Sequence, residues 1–263
     1  MFLVFGFQTA AATPTASDCT AGSYDPDGSG CVLADPGNYV DSDGATSETP
    51  CDAGTYASGS GSTFCFQADQ GYYAPGPAAT GETPCDPGSY APNTQQDQCY
   101  SADAGSYVPD SASTQETPCD PGSYQPYTGQ TSCYSADAGY YIDSSGSTSE
   151  TPCSAGTYNP NTGSTSSSDC FANDPGYASG DGASSETPCD PGTYAGSYGS
   201  TDCTQADPGY YASDPASTGE TPCDPGSYNP FSGESTCEGA DAGYYVDSSA
   251  STSETACPAG TSY

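Results

Sequence analysis

A seventeen-residue beat limits what this chain can fold into more tightly than any local motif. Successive units start at Cys51, Ala68, Cys85, Ala102, Cys119, Ala136 and Cys153. Three residues into each stands a glycine, Gly54 to Gly156, and two further on a tyrosine, Tyr56 to Tyr158. A unit this short cannot bury a core alone and must lean on its neighbours, so the period predicts a tandem array and not a globule.

Composition points the same way. Leu occurs only at Leu3 and Leu33 and Ile only at Ile142, while Gly, Pro, Ser and Thr abound beside 15 Cys. The expected fold class is therefore small, disulfide-rich and mostly β or irregular, an elongated rod of 17-residue half-repeats with a 34-residue period. With 23 copies, Tyr is the only abundant large side chain. Tyr90, Tyr124, Tyr158, Tyr194 and Tyr228, on the beat, are expected to be more buried than Tyr100, Tyr127, Tyr134 and Tyr198, which lie off it.

The cysteine gaps alternate between about fourteen and about twenty residues, so pairing across the short or the long gap fits the spacing. The beat selects the short one. One beat after Cys85 stands Ala102, and one beat after Cys99 stands Glu116. The same joint replacement gives Ala34 with Glu48, Ala68 with Glu82, Ala136 with Glu150, Ala206 with Glu220 and Ala240 with Glu254. Two slots that lose cysteine together are the two ends of one lost bridge. The predicted pairs are Cys19–Cys31, Cys51–Cys65, Cys85–Cys99, Cys119–Cys133, Cys153–Cys170, Cys189–Cys203 and Cys223–Cys237. Cys257 is left over; it opens a half-repeat that continues past Tyr263 or finds a partner on another chain. This cysteine usage sets the protein outside the cell or on its surface.

The run C-x-x-G-x-Y, then about nine residues and a further Cys, resembles the cysteine-rich repeats of ephrin-receptor ectodomains, relatives of tumour-necrosis-factor-receptor and growth-factor-like modules. The resemblance covers Cys19 to Tyr263. It implies an elongated extracellular array of short turns and hairpins. The C-x-x-C dyad usual between such units is reduced here to a single cysteine, as in Glu82-Thr83-Pro84-Cys85.

Two regions are expected. Residues 1–18 hold an apolar run, MFLVFGFQTAAA, that reads as a signal remnant or as an assembly strand presenting Phe2, Val4 and Phe7 to a neighbouring subunit. Residues 19–263 hold the array. Within it Asp86-Pro87-Gly88 and its repeats at Asp120, Asp190 and Asp224 predict type II turns, with Pro preset at the second position and Gly at the third. The run Ser164–Ser168 reads as an insertion in a loop tip.

Charge excludes several functions. No Lys, Arg or His accompanies the 34 acidic residues, giving a net charge of −34. Nucleic acid and anionic membranes are repelled. Without an ordinary base or oxyanion clamp no catalytic residue and no enzyme activity are expected. Asp25 and Asp27, with Asp41 and Asp43 as a shorter echo, read either as oxygen donors for calcium or as Asx turns. Neither stretch has the distal Glu of an EF-hand, and no other cofactor is implied. Seven of nine Glu share one slot, read as a solvated repeat surface or a weak cation site between units. None of the six Asn lies in a sequon. The Thr-Pro pairs at Thr49, Thr83, Thr117, Thr151, Thr187 and Thr221 give the composition of O-glycosylated stalks. The array reads as a structural protein of a surface filament, appendage or coat that assembles head to tail. The alternative is an adhesive or receptor-like binding module.

Overall fold

A computed structural model describes residues 18–260; the apolar run Met1–Ala12 lies outside them. The described residues form fourteen antiparallel hairpins whose strands are two residues long, with no α-helix. The chain divides into two compact units, Met1–Pro118 with Tyr127–Cys133, and Cys119–Pro126 with Tyr134–Tyr263.

Each hairpin begins in the turn that the Asp-Pro-Gly motif predicts. In Asp86–Ser89 the Ser89 amide donates to the Asp86 carbonyl at 3.0 Å, and Gly88 takes φ +87° as third residue. The chain then runs into the strand pair Ser89–Tyr90 with Tyr100–Ser101. In the alternate half-repeats the returning strand is a Thr-Pro pair, such as Thr117–Pro118 opposite Ser106–Tyr107. Proline suits this place because a strand of a two-stranded ribbon need not donate on both sides.

Half-repeats are joined by a recurring set of backbone hydrogen bonds. In the first unit, Gly54 N–H donates to Ala74 O at 3.0 Å and Ala57 N–H to Ala79 O at 3.0 Å, while Cys51 O accepts from Ala78 N–H at 2.9 Å. In the second, Gly209 donates to Asn229, Ala212 to Glu234, and Gly233 back to Ala206, at 2.8, 3.1 and 2.8 Å. At roughly 1 kcal/mol net each, three such bonds contribute about 3 kcal/mol to a junction. The set is varied at Asn173, whose side-chain amide takes the Ser200 carbonyl at 2.8 Å.

Glycine at the turn is dictated by this stacking. A Cβ on Gly88 would lie 2.2 Å from the Gly129 carbonyl oxygen, and one on Gly71 2.2 Å from that of Ala112. The second turn of each hairpin also takes positive φ. There Ala78, Gln95, Ala112, Ala216 and Ala250 adopt values of 54–63°, conformations that cost L-residues energy.

The core is narrower than a tyrosine-filled one. Two positions per half-repeat are buried: the first, held by Cys, Ala or, once, Asn173, with Ala240 alone half-buried among the complete half-repeats, and the residue after the beat position. The latter slot holds Val40, Ala57, Ala74, Ala91, Val108 and Ile142, but also Asp25, Gln125, Asn159, Ser179 and Asn229. The five compared beat tyrosines are half-buried and flank this slot; Tyr100, Tyr127, Tyr134 and Tyr198 are exposed, the last at 71%. The expected ordering is present, yet tyrosine is the rim of the core and not its filling. Within Ser164–Ser168, Ser164 is itself buried and accepts from Asn159 Nδ2 at 2.8 Å. A single 3-10 turn, Ser167–Asp169, capped by Ser166, absorbs the extra residues.

Candidate functional site

The cysteines close hairpins, each within itself. Cys19–Cys31, Cys51–Cys65, Cys85–Cys99, Cys153–Cys170, Cys189–Cys203 and Cys223–Cys237 are bonded, with Cα separations of 5.5–5.8 Å. Cys119 and Cys133 are disulfide-bonded as well, and Cys257 is free. Each bridge spans the mouth of a hairpin whose first cysteine is buried; the second is half-buried, except for the exposed Cys31.

Where the bridge is lost, glutamate takes over its task. Glu116 Oε2 accepts from the Asp103 backbone N–H at 2.6 Å, the residue following Ala102. The same clasp joins Glu48 to Asp35, Glu82 to Asp69, Glu150 to Asp137, Glu186 to Asp174, Glu220 to Asp207 and Glu254 to Asp241, at 2.6–2.8 Å. Short, charge-assisted bonds of this kind are the stronger ones. The shared glutamate slot is thus a set of hairpin closures, and the two readings from sequence, solvated surface and inter-unit cation site, both missed it.

These carboxylates act on the preceding half-repeat too. Tyr24, Tyr56, Tyr90, Tyr194 and Tyr228 have hydroxyls held above the usual tyrosine value, first by desolvation and then by a clasp glutamate, Glu48, Glu82, Glu116, Glu220 and Glu254 respectively. All five belong to disulfide half-repeats.

The acidic stretch proposed for calcium serves turns. Asp25 is buried; its Oδ1 accepts from Gly28 and Gly30 N–H at 2.8 and 3.3 Å, and its Oδ2 has no hydrogen-bond partner. Asp27 Oδ1 accepts from Ser29 N–H at 3.0 Å, and the Ser29 side chain and amide hold its carboxyl below the usual range. Asp43 Oδ1 accepts from Ala21 N–H at 2.9 Å, whereas Asp41 is exposed. Among the described residues no three acidic or cysteine side chains converge to hold a metal ion. Asp25 and Asp27 thus form local Asx-type turns, whereas Asp43 ties its half-repeat to the preceding one. Asp25 also occupies the buried slot after a beat tyrosine, which its place in an acidic run concealed.

The six Thr-Pro threonines, Thr49, Thr83, Thr117, Thr151, Thr187 and Thr221, sit on exposed returning strands and not on loop tips.

A groove recurs where a glutamate half-repeat meets the next disulfide half-repeat. In the first unit, Tyr39, Asp52, Thr55, Phe64 and Cys65 line about 240 Å³. In the second, Tyr211, Asp224, Ser227, Thr236 and Cys237 stand in the corresponding places around about 270 Å³. Phe64 is 55% exposed and packs on Phe66 with ring centroids 4.7 Å apart. Cross-strand aromatic pairs, Tyr90 with Tyr100 in the first unit and Tyr124 with Tyr134 in the second, leave one ring of each outward. Sequence reasoning missed this groove because its members lie on two half-repeats.

Compared with known protein families the chain matches none, and a comparison with curated proteins finds no match. What stands is a cysteine-rich tandem repeat of β-hairpins, whose many disulfides indicate an oxidising environment.

Proposed function

We propose that this chain is a structural extracellular protein, a subunit of a surface filament, appendage or coat whose copies join head to tail. One observation carries the reading: the same three backbone hydrogen bonds recur at successive half-repeats in each unit, so adding a unit needs no new contact. A junction of backbone groups tolerates changes of side chain. It can be extended by any hairpin with the same glycine and turn. Heterologous contacts of this kind propagate unless rotation closes a ring. The spacing shared with ephrin-receptor repeats supports the extracellular setting. The lack of cationic and histidine side chains supports a role other than catalysis, and one away from nucleic acid and anionic membranes. The exposed threonines are open to O-linked sugar. Electron microscopy of the oxidised, secreted protein tests the reading. Filaments or sheets are expected, and single dispersed particles at all concentrations would overturn it. The exposed aromatic rings favour one second reading, an adhesive or receptor-like module.

A further inference from the structure

The groove between Tyr39 and Phe64 carries a chemical bias of its own. Nearly all its polar side-chain atoms can only accept. The Thr55 hydroxyl donates its proton to the Asp52 carbonyl at 2.7 Å, which leaves its oxygen lone pairs alone for a ligand. The Asp52 carboxylate is exposed and acceptor-only, and the bonded Cys65 sulfur is a weak acceptor. Its two aromatic rings carry negative partial charge on their faces. Among its side chains only the Tyr39 hydroxyl brings a proton. The second unit keeps the carboxylate, the committed hydroxyl and one ring, with Ser227 Oγ donating to the Asp224 carbonyl at 2.8 Å beside Tyr211, but it has Thr236 in the place of Phe64 and adds Ser213 and Ser235. The carboxylate and committed hydroxyl recur at Asp86 with Ser89, Asp120 with Ser123, and Asp190 with Thr193. The Cys153 half-repeat departs from this, having Ser154 in the aspartate's place.

We propose that these grooves bind primary alkylammonium groups, as carried by a lysine side chain or a polyamine. An ammonium has three donors and no acceptor, the complement of side chains that mostly accept. Its charge is drawn by the field of a chain with net charge −34 and by the ring faces, while its methylene stem lies along Tyr39 and Phe64. A neutral polyol brings hydroxyl oxygens that this groove leaves almost without donors, and an anion is repelled. The proposal is independent of whether copies assemble.

The test follows aromatic ring NMR signals of the full oxidised chain, at fixed ionic strength, during titration with butylammonium chloride or with butanol. Butylammonium shifts the Tyr39 and Phe64 signals saturably, and butanol binds at least about ten-fold more weakly. Asp52→Asn weakens butylammonium about ten-fold at this groove, whereas Asp97→Asn, at an exposed carboxylate elsewhere, leaves it unchanged. Equal binding of butanol would reduce the groove to an apolar crease. Equal loss in Asp97→Asn would reduce it to a diffuse counter-ion atmosphere, and either result overturns the proposal. Should Asp52→Asn disturb the fold, Asp224→Asn read at Tyr211 decides in the same way. Spermidine and pentalysine arms separate the sources, the tighter binder at equal ionic strength naming a free polyamine or a protein-borne lysine.

Discussion

The hairpin from Cys85 to Cys99 and the one from Ala102 to Glu116 have the same turn, strand register and buried slot, yet one is closed by a covalent bond and the other by a carboxylate on an amide. A disulfide restrains the unfolded chain, whereas the glutamate bond vanishes with the fold and restrains nothing once it is lost. Both ends must therefore be held for the hairpin to stack, but the means is exchangeable. The second turn differs as well. Left-handed alanines occur at Ala78, Ala112, Ala216 and Ala250, all in glutamate half-repeats, while most disulfide half-repeats place Gly there, as at Gly61 and Gly129. The covalently closed hairpins are the better relaxed of the two kinds.

The largest expected effect would show that the two kinds share one scaffold. Gly88→Ala and Gly71→Ala, one of each kind, should each cost about 4 kcal/mol, because the new Cβ meets a backbone oxygen and φ must stay positive. Amide hydrogen exchange of the affected hairpins measures this locally, which matters in an array that can open in parts. Unequal losses would mean that the stacking differs between the kinds.

Next comes the closure itself. Replacing both Cys85 and Cys99 by Ala should remove about 3 kcal/mol from that hairpin, while Glu116→Ala should remove about 1 kcal/mol from its neighbour. Exchange protection read before and after a reductant sharpens the contrast. Reduction should expose the Ser89–Tyr90 amides well before those of Ser106–Tyr107. Simultaneous loss would show that the glutamate hairpins survive only on their neighbours' bridges.

A smaller gain is expected from relieving the left-handed alanine. Ala112→Gly should stabilise its hairpin by about 0.5–1 kcal/mol, seen as slower exchange of the amide at position 112, which donates to Cys85 O. The same exchange at Gly129 is already made, so the difference between the kinds should shrink.

The smallest effect is electrostatic and alkaline. Tyr90 is held above the usual tyrosine value by desolvation, then by Glu116, Asp103 and Tyr100. A folded-state value above the unfolded one means that its contribution is complete below about pH 10 and is lost as pH rises through the folded value. Absorbance titration should show a late-ionising fraction that Tyr90→Phe diminishes and Glu116→Gln brings earlier. An unchanged curve in Glu116→Gln would remove the clasp from the cause.

The contrast between the kinds also explains what could be read beforehand. The period, the turn at Asp86–Ser89 and the bridges were legible because each is a match between residue types: Cys against Cys, or both slots changed at once. The glutamate clasp was not, since its partner is a backbone amide that every non-proline residue offers. The buried slot was hidden for a related reason. It admits Val40, Ala57, Gln125 and Asn159 alike, because a polar side chain there finds partners in the passing backbone, as Asn159 Nδ2 does at Tyr140 O. Tyrosine was overrated as filling since its abundance was visible and its position at the rim was not.

The reach of the junction has a consequence for the order in which a nascent chain can mature. Cys85 needs nothing beyond Cys99 to form its bridge. Its carbonyl, however, waits for the amide of Ala112, and Gly88 waits for Gly129 to pack over it. In an oxidising compartment a newly made hairpin is therefore stapled first and seated only after two successors have followed. The leading edge of the growing protein is always a pair of closed but unfinished hairpins, with free backbone groups pointing along the direction of synthesis.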